Sequence, residues 1–156
     1  MKGGLYKSLF FVYLHSKINN MKKLLWLDDM RDPFTGTWLL SYAPDFDENR
    51  ENVVWVKNYE DFVAWITENG LPYKVAFDHD LEQDVADEKV TMGMSKRKSR
   101  MEKKGIKDGK DAANWMVDYC LDNGLNIPLF TIQSANPTGA DNIRGLLQGA
   151  IKHINK

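Results

Sequence analysis

The fold of this chain is decided by the segment LLWLDD at residues 24–29, where an apolar run ends in two carboxylates. The run Leu24–Leu27 does not alternate with polar residues, which is typical of a strand buried on both faces of a sheet. Asp28 and Asp29 follow at the carboxyl end of that strand. Ligands of open parallel sheets bind beyond this end of the strands. The segment therefore predicts a buried parallel strand that leads into a polar site.

Three further apolar runs alternate with helical patterns along the chain. The runs are residues 53–56, 75–77 and 129–132, and like the first run they are predicted to be strands buried on both faces. Asn58 and Gly70 bracket one helical pattern as N-cap and C-terminal glycine, Gly124 ends a second, and an apolar stripe over 143–154 marks the last. Strands that alternate with helices predict βαβ units with helices on both faces of the sheet. We therefore predict a three-layer α/β/α fold with a short, four-stranded, mostly parallel sheet.

Three segments fall outside this alternation. Residues 30–52 contain two prolines and an acidic patch, so we predict an irregular first crossover. Residues 82–110 have almost no apolar periodicity and are predicted to form a long insertion after the third strand. Residues 1–21 are interpreted as an N-terminal extension, because their apolar run is too short for a membrane span and lacks a signal-peptide cleavage site. The alternative is an ordered element packed on the domain edge, and the domain itself is expected to cover residues 22–156.

The composition is that of one globular domain. The 156 residues include 21 basic and 22 acidic side chains, a net charge of −1, and 43% hydrophobic residues. These values argue against a histone-like basic protein and against wholesale disorder. The single cysteine, Cys120, excludes an internal disulfide framework and a multi-cysteine zinc site. We therefore expect a cytoplasmic protein with no membrane segment and no disulfide partner.

Carboxylates follow two of the predicted strands. Asp28 and Asp29 follow the first strand, and Asp78 follows the third. Like charges at the same edge of a sheet favour either protonation or a bound cation. Oxygen ligands suit Mg²⁺ or Mn²⁺, and Ca²⁺ is also compatible. The alternative is that these aspartates cap turns and helix starts, but two clusters on one sheet favour a divalent-metal site.

The neighbours of these carboxylates suggest phosphate chemistry. His79 lies between two aspartates that would raise its pKa, and it is either a general acid or base, a metal ligand, a stacking group or a structural histidine. Ser134 and Asn136 offer a hydroxyl and an amide where the fourth strand ends, and the amides of the following helix attract anions. A plain turn and helix cap is an equally good interpretation of this last segment.

The predicted insertion carries a strong positive charge. Between residues 96 and 110 there are eight basic and two acidic residues. A basic segment beside an acidic pocket favours an anionic polymer such as RNA or DNA as a partner, whereas a solvated charged loop is the usual alternative. The candidate nucleic-acid contacts are Lys96, Arg97, Lys98, Arg100, Lys103 and Lys104.

Three motifs in this order resemble a known family. Residues 25–33, 77–81 and 134–139 are similar to the motifs of the cyclic-phosphate processing receiver domain. That family is a divergent branch of the receiver fold of response regulators, with a flavodoxin-like sheet, and occurs in bacteria and their phages. The resemblance spans about residues 22–154. One helix is predicted after the last motif, so we expect this domain to lack the receiver's fifth strand and its conventional lysine.

The resemblance implies residue roles and an activity. Asp28 and Asp29 would bind the metal, and Asp78 would occupy the phosphoacceptor position. His79 and Asp80 are additions of the divergent family. The implied activity is the handling of cyclic phosphate ends of nucleic acids or nucleotides.

Three functions are compatible with these motifs. A non-catalytic binding module and a phosphoacceptor response regulator are the alternatives, and the oligomeric state is open. The leading hypothesis is a metal-dependent phosphoesterase that acts on cyclic-phosphate ends of RNA or on cyclic nucleotides, in the cytoplasm of a bacterium or of the host cell of a phage. In that hypothesis the metal ligands are Asp28, Asp29 and Asp78, the catalytic groups are Asp78, His79 and Asp80, and the phosphate ligands are Arg31, Ser134 and Asn136.

Overall fold

A computed structural model describes residues 22–81 and 105–155 of the chain. The predicted N-terminal extension and most of the predicted insertion, including residues 96–104, lie outside these ranges. The strands are β1 (Leu24–Leu27), β2 (Val53–Val56), β3 (Lys74–Phe77) and β4 (Leu129–Ile132). The helices are α1 (Trp38–Tyr42), α2 (Tyr59–Asn69), α3 (Gly109–Asn123) and α4 (Pro137–Ile154). All four predicted strands are confirmed, and β3 begins one residue earlier than the pattern indicated.

Within the described ranges the four strands form one parallel sheet in the order β2-β1-β3-β4. Leu27 lies beside Val56 and Phe77, and Phe77 lies beside Ile132. The strands therefore end at the same level. Residues that follow Leu27, Phe77 and Ile132 meet at one edge of the sheet, as the parallel arrangement predicted.

The two faces of the sheet are covered by different helices. Side chains alternate along a strand, so Leu25 and Leu27 pack into a core with α2, α3 and α4, whereas Leu24 and Trp26 pack against α1 on the opposite face. The second face is completed by two short 3₁₀ turns, Pro44–Phe46 and Arg50–Asn52. The three-layer architecture is confirmed, and the first crossover is irregular as expected.

Burial differs between the central strands and the edge strands. Every residue of β1 is buried, and so is β3 after Lys74. In contrast, no residue of β4 is fully buried, and Leu129 is 55% exposed. The prediction that all four runs are buried on both faces is therefore wrong for β4 and only partly right for β2, because each has just one neighbouring strand among the described residues.

Helix ends follow local capping chemistry. The Asn58 side chain accepts a hydrogen bond from the Asp61 amide, and α2 stops at Gly70, which has a positive φ of 83°. Helix α3 begins at Gly109, inside the predicted insertion of residues 82–110, because Asp108 and Asp111 form a reciprocal capping box. None of the helices in the two described ranges has both the length and the apolar character that a bilayer crossing requires.

Candidate metal centre

Asp28 is fixed at the end of β1 by its own loop. Its backbone amide donates to the Val56 carbonyl at 3.1 Å, which continues the sheet pairing by one residue. Its Oδ1 atom accepts hydrogen bonds from the amides of Met30 at 3.0 Å and Arg31 at 2.7 Å. The carboxylate therefore folds the following loop back over the sheet edge, which is a conformation that aspartate favours in turns.

Two tryptophan indoles donate hydrogen bonds to backbone carbonyls of the loop that follows β1. Trp26 donates through Nε1 to the Arg31 carbonyl at 2.9 Å, and Trp55 donates through Nε1 to the Asp28 carbonyl at 2.7 Å. Both tryptophans pack in or against the core on the α1 side of the sheet. The loop that carries the first carboxylates is therefore anchored to the core by side chains as well as by its own turn.

Asp78 enters the site from β3. Its amide donates to the Leu27 carbonyl at 2.8 Å, and its Oδ1 atom accepts from the His79 amide at 2.8 Å. Ser134, which follows β4, hydrogen-bonds to the Asp78 side chain. Burial and, second, the neighbouring Asp28 carboxylate raise the pKa of Asp78 to about 7, although Arg31 and Ser134 work in the opposite direction.

Asp28, Asp29 and Asp78 converge as the sequence predicted. One carboxylate oxygen from each lies within 4.8 Å of the others, and all three residues are buried. Three hard oxygen donors of like charge in a buried site match the ligand preference of Mg²⁺, Mn²⁺ or Ca²⁺. The raised pKa of Asp78 fits this interpretation, because burial and the neighbouring Asp28 and Asp29 carboxylates disfavour its ionised form, which a bound cation would stabilise. The residues present therefore fit a divalent cation.

Arg31 lies between two of these carboxylates. Its Nη1 atom is 3.1 Å from Asp28 Oδ2 and 3.6 Å from Asp78 Oδ1. The guanidinium carbon lies 5.4 Å from the ring centroid of Trp38, and we call this partly exposed side of the carboxylate pocket its rim. The side chain predicted to bind phosphate thus contacts the predicted metal ligands directly.

His79 is held by carboxylates at both ring nitrogens. Nδ1 lies 3.0 Å from Asp80 Oδ1, and Nε2 lies 3.6 Å from Asp108 Oδ2. The hydrogen bond to Asp80 raises the pKa of His79 above its ordinary value, and Asp108 adds to the effect. Asp80 therefore orients the imidazole and is not one of the three clustered carboxylates. Sequence reasoning missed Asp108, whose position beside His79 depends on where α3 begins.

Two glycines allow α3 and α4 to approach this loop. A Cβ atom on Gly109 would collide with the backbone carbonyl of Asp78, and one on Gly139 would collide with the His79 ring. The Gly109 amide also donates to the His79 carbonyl at 2.8 Å. Sequence reasoning assigned neither glycine a role. The available signal was the Asp108-Gly109 pair at a helix start.

The segment after β4 contributes Gln133, Ser134 and Asn136 to this edge of the sheet. Gln133 is buried, and its Nε2 atom donates to the Leu27 carbonyl at 3.2 Å, across the intervening strand. The Ser134 hydroxyl accepts from the Asn136 amide at 3.1 Å, and Asn136 Oδ1 accepts from the Gly139 amide at 2.9 Å. Asn136 is thus the N-cap of α4, which is the turn-and-cap arrangement that the sequence left open beside phosphate binding.

The predicted nucleic-acid contacts between Lys96 and Lys104 lie outside the described residues. Within the described part of the same basic run, Lys107 Nζ lies 5.9 Å from the ring centroid of Tyr59 on α2. The expected binding of RNA or DNA by the basic segment stays a prediction.

Residues 23–149 match the family model described as the Cyclic-phosphate processing Receiver domain. This span covers most of the chain and includes all three motifs, with Asp28, Asp78 and Ser134 inside it. No curated protein and no solved structure matches the chain.

Proposed function

The chain belongs to the cyclic-phosphate processing receiver domain family, and on this premise we propose that it is a divalent-metal-dependent phosphoesterase for cyclic phosphates. The substrate class is a nucleoside 2′,3′-cyclic phosphate, either free or at the end of an RNA. The observation that carries the proposal is the convergence of three buried carboxylates beside a hydroxyl and an arginine, at the edge where parallel sheets bind ligands.

Asp28, Asp29 and Asp78 would hold the cation. A divalent cation in such a site polarises a phosphoryl oxygen and lowers the pKa of a water molecule. Arg31 provides N–H donors at the rim that match phosphate geometry, and its Nη1 atom contacts the carboxylates of Asp28 and Asp78. Ser134 and Asn136 lie at the start of α4, where helix amides attract anions.

Proton transfer is assigned to His79. Water adds its oxygen to phosphorus and releases one proton to solvent, one ring P–O bond breaks, and the departing ribose oxygen takes up a proton from His79 to give a phosphomonoester. The hydrogen bond to Asp80 raises the pKa of the His79 imidazole above its ordinary value, which favours the protonated form that can donate that proton. Asp80 would act as a positioning residue, because it fixes the ring through Nδ1.

The test is hydrolysis of 2′,3′-cyclic AMP and of a cyclic-phosphate-ended RNA, with Mn²⁺ or with a chelator. We expect the wild type to turn over substrate with Mn²⁺ and not with the chelator. Asp78→Asn should lose at least about 100-fold in turnover with Mn²⁺, because the variant loses a metal ligand. Asp122→Asn removes an exposed carboxylate of α3 and serves as the matched control, with turnover equal to the wild type. No turnover by the wild type with any divalent metal would rule out the proposal.

A non-catalytic binding module is the second candidate. It is favoured by the position of Arg31, which already offsets the charge of the pocket carboxylates. This candidate predicts that cyclic nucleotides or phosphate bind without turnover. A phosphoacceptor receiver would instead form a labile acyl phosphate on Asp78 during incubation with acetyl phosphate, and mass spectrometry of the intact protein separates the two outcomes.

A further inference from the structure

We propose that Arg31 and the divalent cation exchange places in the acidic pocket, so that metal and phosphate bind cooperatively. Without metal, the Arg31 guanidinium neutralises Asp28 and Asp78. When the cation binds, the guanidinium leaves these carboxylates and becomes the phosphate donor at the rim. The inference rests on the proposed function for its metal and its phosphate ligand, but it concerns binding and does not require turnover.

The two oxygens of the Asp28 carboxylate have different hydrogen-bond partners. Oδ1 already accepts two backbone hydrogen bonds, from Met30 and Arg31. Oδ2 is the oxygen that contacts the Arg31 guanidinium, at 3.1 Å from Nη1. A cation that uses Asp28 without breaking the loop must therefore bind Oδ2, where Nη1 now lies.

The same Arg31 guanidinium also contacts Asp78. Nη1 also lies 3.6 Å from Asp78 Oδ1, so one nitrogen bridges two of the three candidate metal ligands. A divalent cation bound between the same carboxylates would face a positive charge in direct contact with its ligands. Like charges in a buried site repel strongly, so Arg31 opposes metal binding as long as it stays there.

The Arg31 side chain can leave the carboxylates while its backbone stays in place. Its backbone amide stays fixed by Asp28 Oδ1 at 2.7 Å, so only the side chain has to move. That side chain is 20% exposed and lies beside Trp38 at the rim. A guanidinium carries five N–H donors in a planar fork that suits phosphate oxygens. A phosphate bound next to the cation would hold Arg31 out of the pocket.

Cooperativity follows from linkage. If phosphate stabilises the position of Arg31 that the metal requires, phosphate must raise metal affinity, and metal must raise phosphate affinity by the same factor. An arginine that only bound phosphate would leave metal affinity in the absence of phosphate unchanged. The two possibilities are therefore separable by binding measurements alone.

The experiment measures Mn²⁺ affinity from the electron paramagnetic resonance signal of free Mn²⁺, with and without inorganic phosphate. The proteins are the wild type, Arg31→Gln and Arg144→Gln. Arg144 is a matched control because it forms an equivalent pair, three residues after Asp141, on the exposed side of α4. We expect Arg31→Gln to bind Mn²⁺ at least about fivefold more tightly than the wild type without phosphate, within the range of typical site coupling. Phosphate should tighten Mn²⁺ binding in the wild type and in Arg144→Gln, but not in Arg31→Gln.

Each other outcome overturns a defined claim. Equal Mn²⁺ affinity of the wild type and Arg31→Gln overturns the exchange and leaves the phosphoesterase proposal standing. An equal effect of phosphate on both proteins also overturns it. Absence of Mn²⁺ binding in every protein overturns the exchange and the proposed metal use together, whereas cooperative binding without turnover overturns only the activity.

A measurement on the unmodified protein covers the case in which Arg31→Gln does not fold. The Nε–Hε resonance of Arg31 in ¹⁵N-labelled wild type reports the surroundings of the guanidinium. We expect this resonance to shift when diamagnetic Mg²⁺ is added and to shift again with phosphate, while that of Arg144 stays in place. An Arg31 resonance that does not respond to saturating Mg²⁺ overturns the exchange.

Discussion

At the scale of single residues, burial affects the Asp28 carboxylate and the Cys120 thiol differently. Asp28 is completely buried but keeps hydrogen bonds from two amides and a guanidinium. Such partners compensate the desolvation of a charged group. Cys120 is also completely buried, and its Sγ atom donates a weak hydrogen bond to the Asn126 carbonyl, at 3.7 Å. Hydrogen bonds therefore compensate the burial of the Asp28 carboxylate, whereas the buried Cys120 thiol has a weak partner.

The Cys120 thiol is expected to be unreactive in the native protein. Burial raises its pKa to about 11, and the thiolate is the reactive form. We predict that Ellman's reagent modifies Cys120 at least about 100-fold more slowly in the native protein than in urea, in line with the loss of access and of thiolate. The measurement is the absorbance released over time, with unfolded protein as the control. Rapid stoichiometric labelling under native conditions would contradict the prediction.

The position of a site residue could be predicted only where the sequence around it indicates the local structure. The convergence of Asp28, Asp29 and Asp78 followed from their position after strands of one parallel sheet. The contact between His79 and Gly139 could not be predicted, because sixty residues separate them and it depends on how closely α4 approaches β3. Likewise, nothing in the sequence indicates that the Arg31 guanidinium contacts the carboxylates of Asp28 and Asp78.

At the scale of elements, the site depends on how closely two helix starts approach the loop after β3. Gly109 begins α3 against the Asp78 carbonyl, and Gly139 lies in the first turn of α4 against the His79 ring. Short side chains are required at both places because the neighbouring atoms are themselves fixed, the carbonyl by the backbone and the ring by Asp80. The helices therefore set the position of His79.

Gly139→Ala is predicted to destabilise the protein and to displace His79. The new methyl group collides with a ring held at both nitrogens, and overpacking of this kind costs about 1–3 kcal/mol. Gly145→Ala is the matched control in the same helix, since a Cβ there meets nothing within 4 Å. It should stabilise the protein by about 0.5–1 kcal/mol. Urea unfolding measures both, and a Gly139→Ala variant as stable as Gly145→Ala would refute the packing argument.

Element boundaries were the most predictable level of this structure. The strands match the short apolar runs, and α2 and α3 end at the predicted glycines, Gly70 and Gly124. Those signals are local, because caps and apolar runs act within a few residues. Burial of the edge strands was not predicted correctly, since the position of β4 at one side of the sheet is a property of the topology and not of the sequence of β4.

At the scale of the whole molecule, ionisation of the buried Asp78 carboxyl lowers the free energy of unfolding. The pKa of Asp78 is about 7 in the native protein and 3.8 in its ordinary state. Between these values the native carboxyl keeps its proton while the unfolded one has lost it. The unfolded state then binds fewer protons, so stability falls as pH rises through this window and changes no further above it.

The metal-free wild type is therefore predicted to lose stability between pH 5 and pH 8 relative to Asp78→Asn, which cannot ionise there. The difference should be of the order of 2–3 kcal/mol. Urea unfolding at both pH values with a chelator present measures it, and Asp122→Asn should follow the wild type. If the wild type and Asp78→Asn change in parallel, the cost of ionising Asp78 is not the cause.

The anchoring of the Asp28–Arg31 loop by Trp26 and Trp55 has an optical consequence. Each indole N–H donates to a backbone carbonyl of that loop, and a third indole, Trp38, lies beside the Arg31 guanidinium. Indole emission depends on hydrogen bonding and on nearby charge. A change in the charge state of the pocket therefore reaches three of the five tryptophans, so the intrinsic fluorescence of the unlabelled protein provides a direct titration signal for ligands of the site.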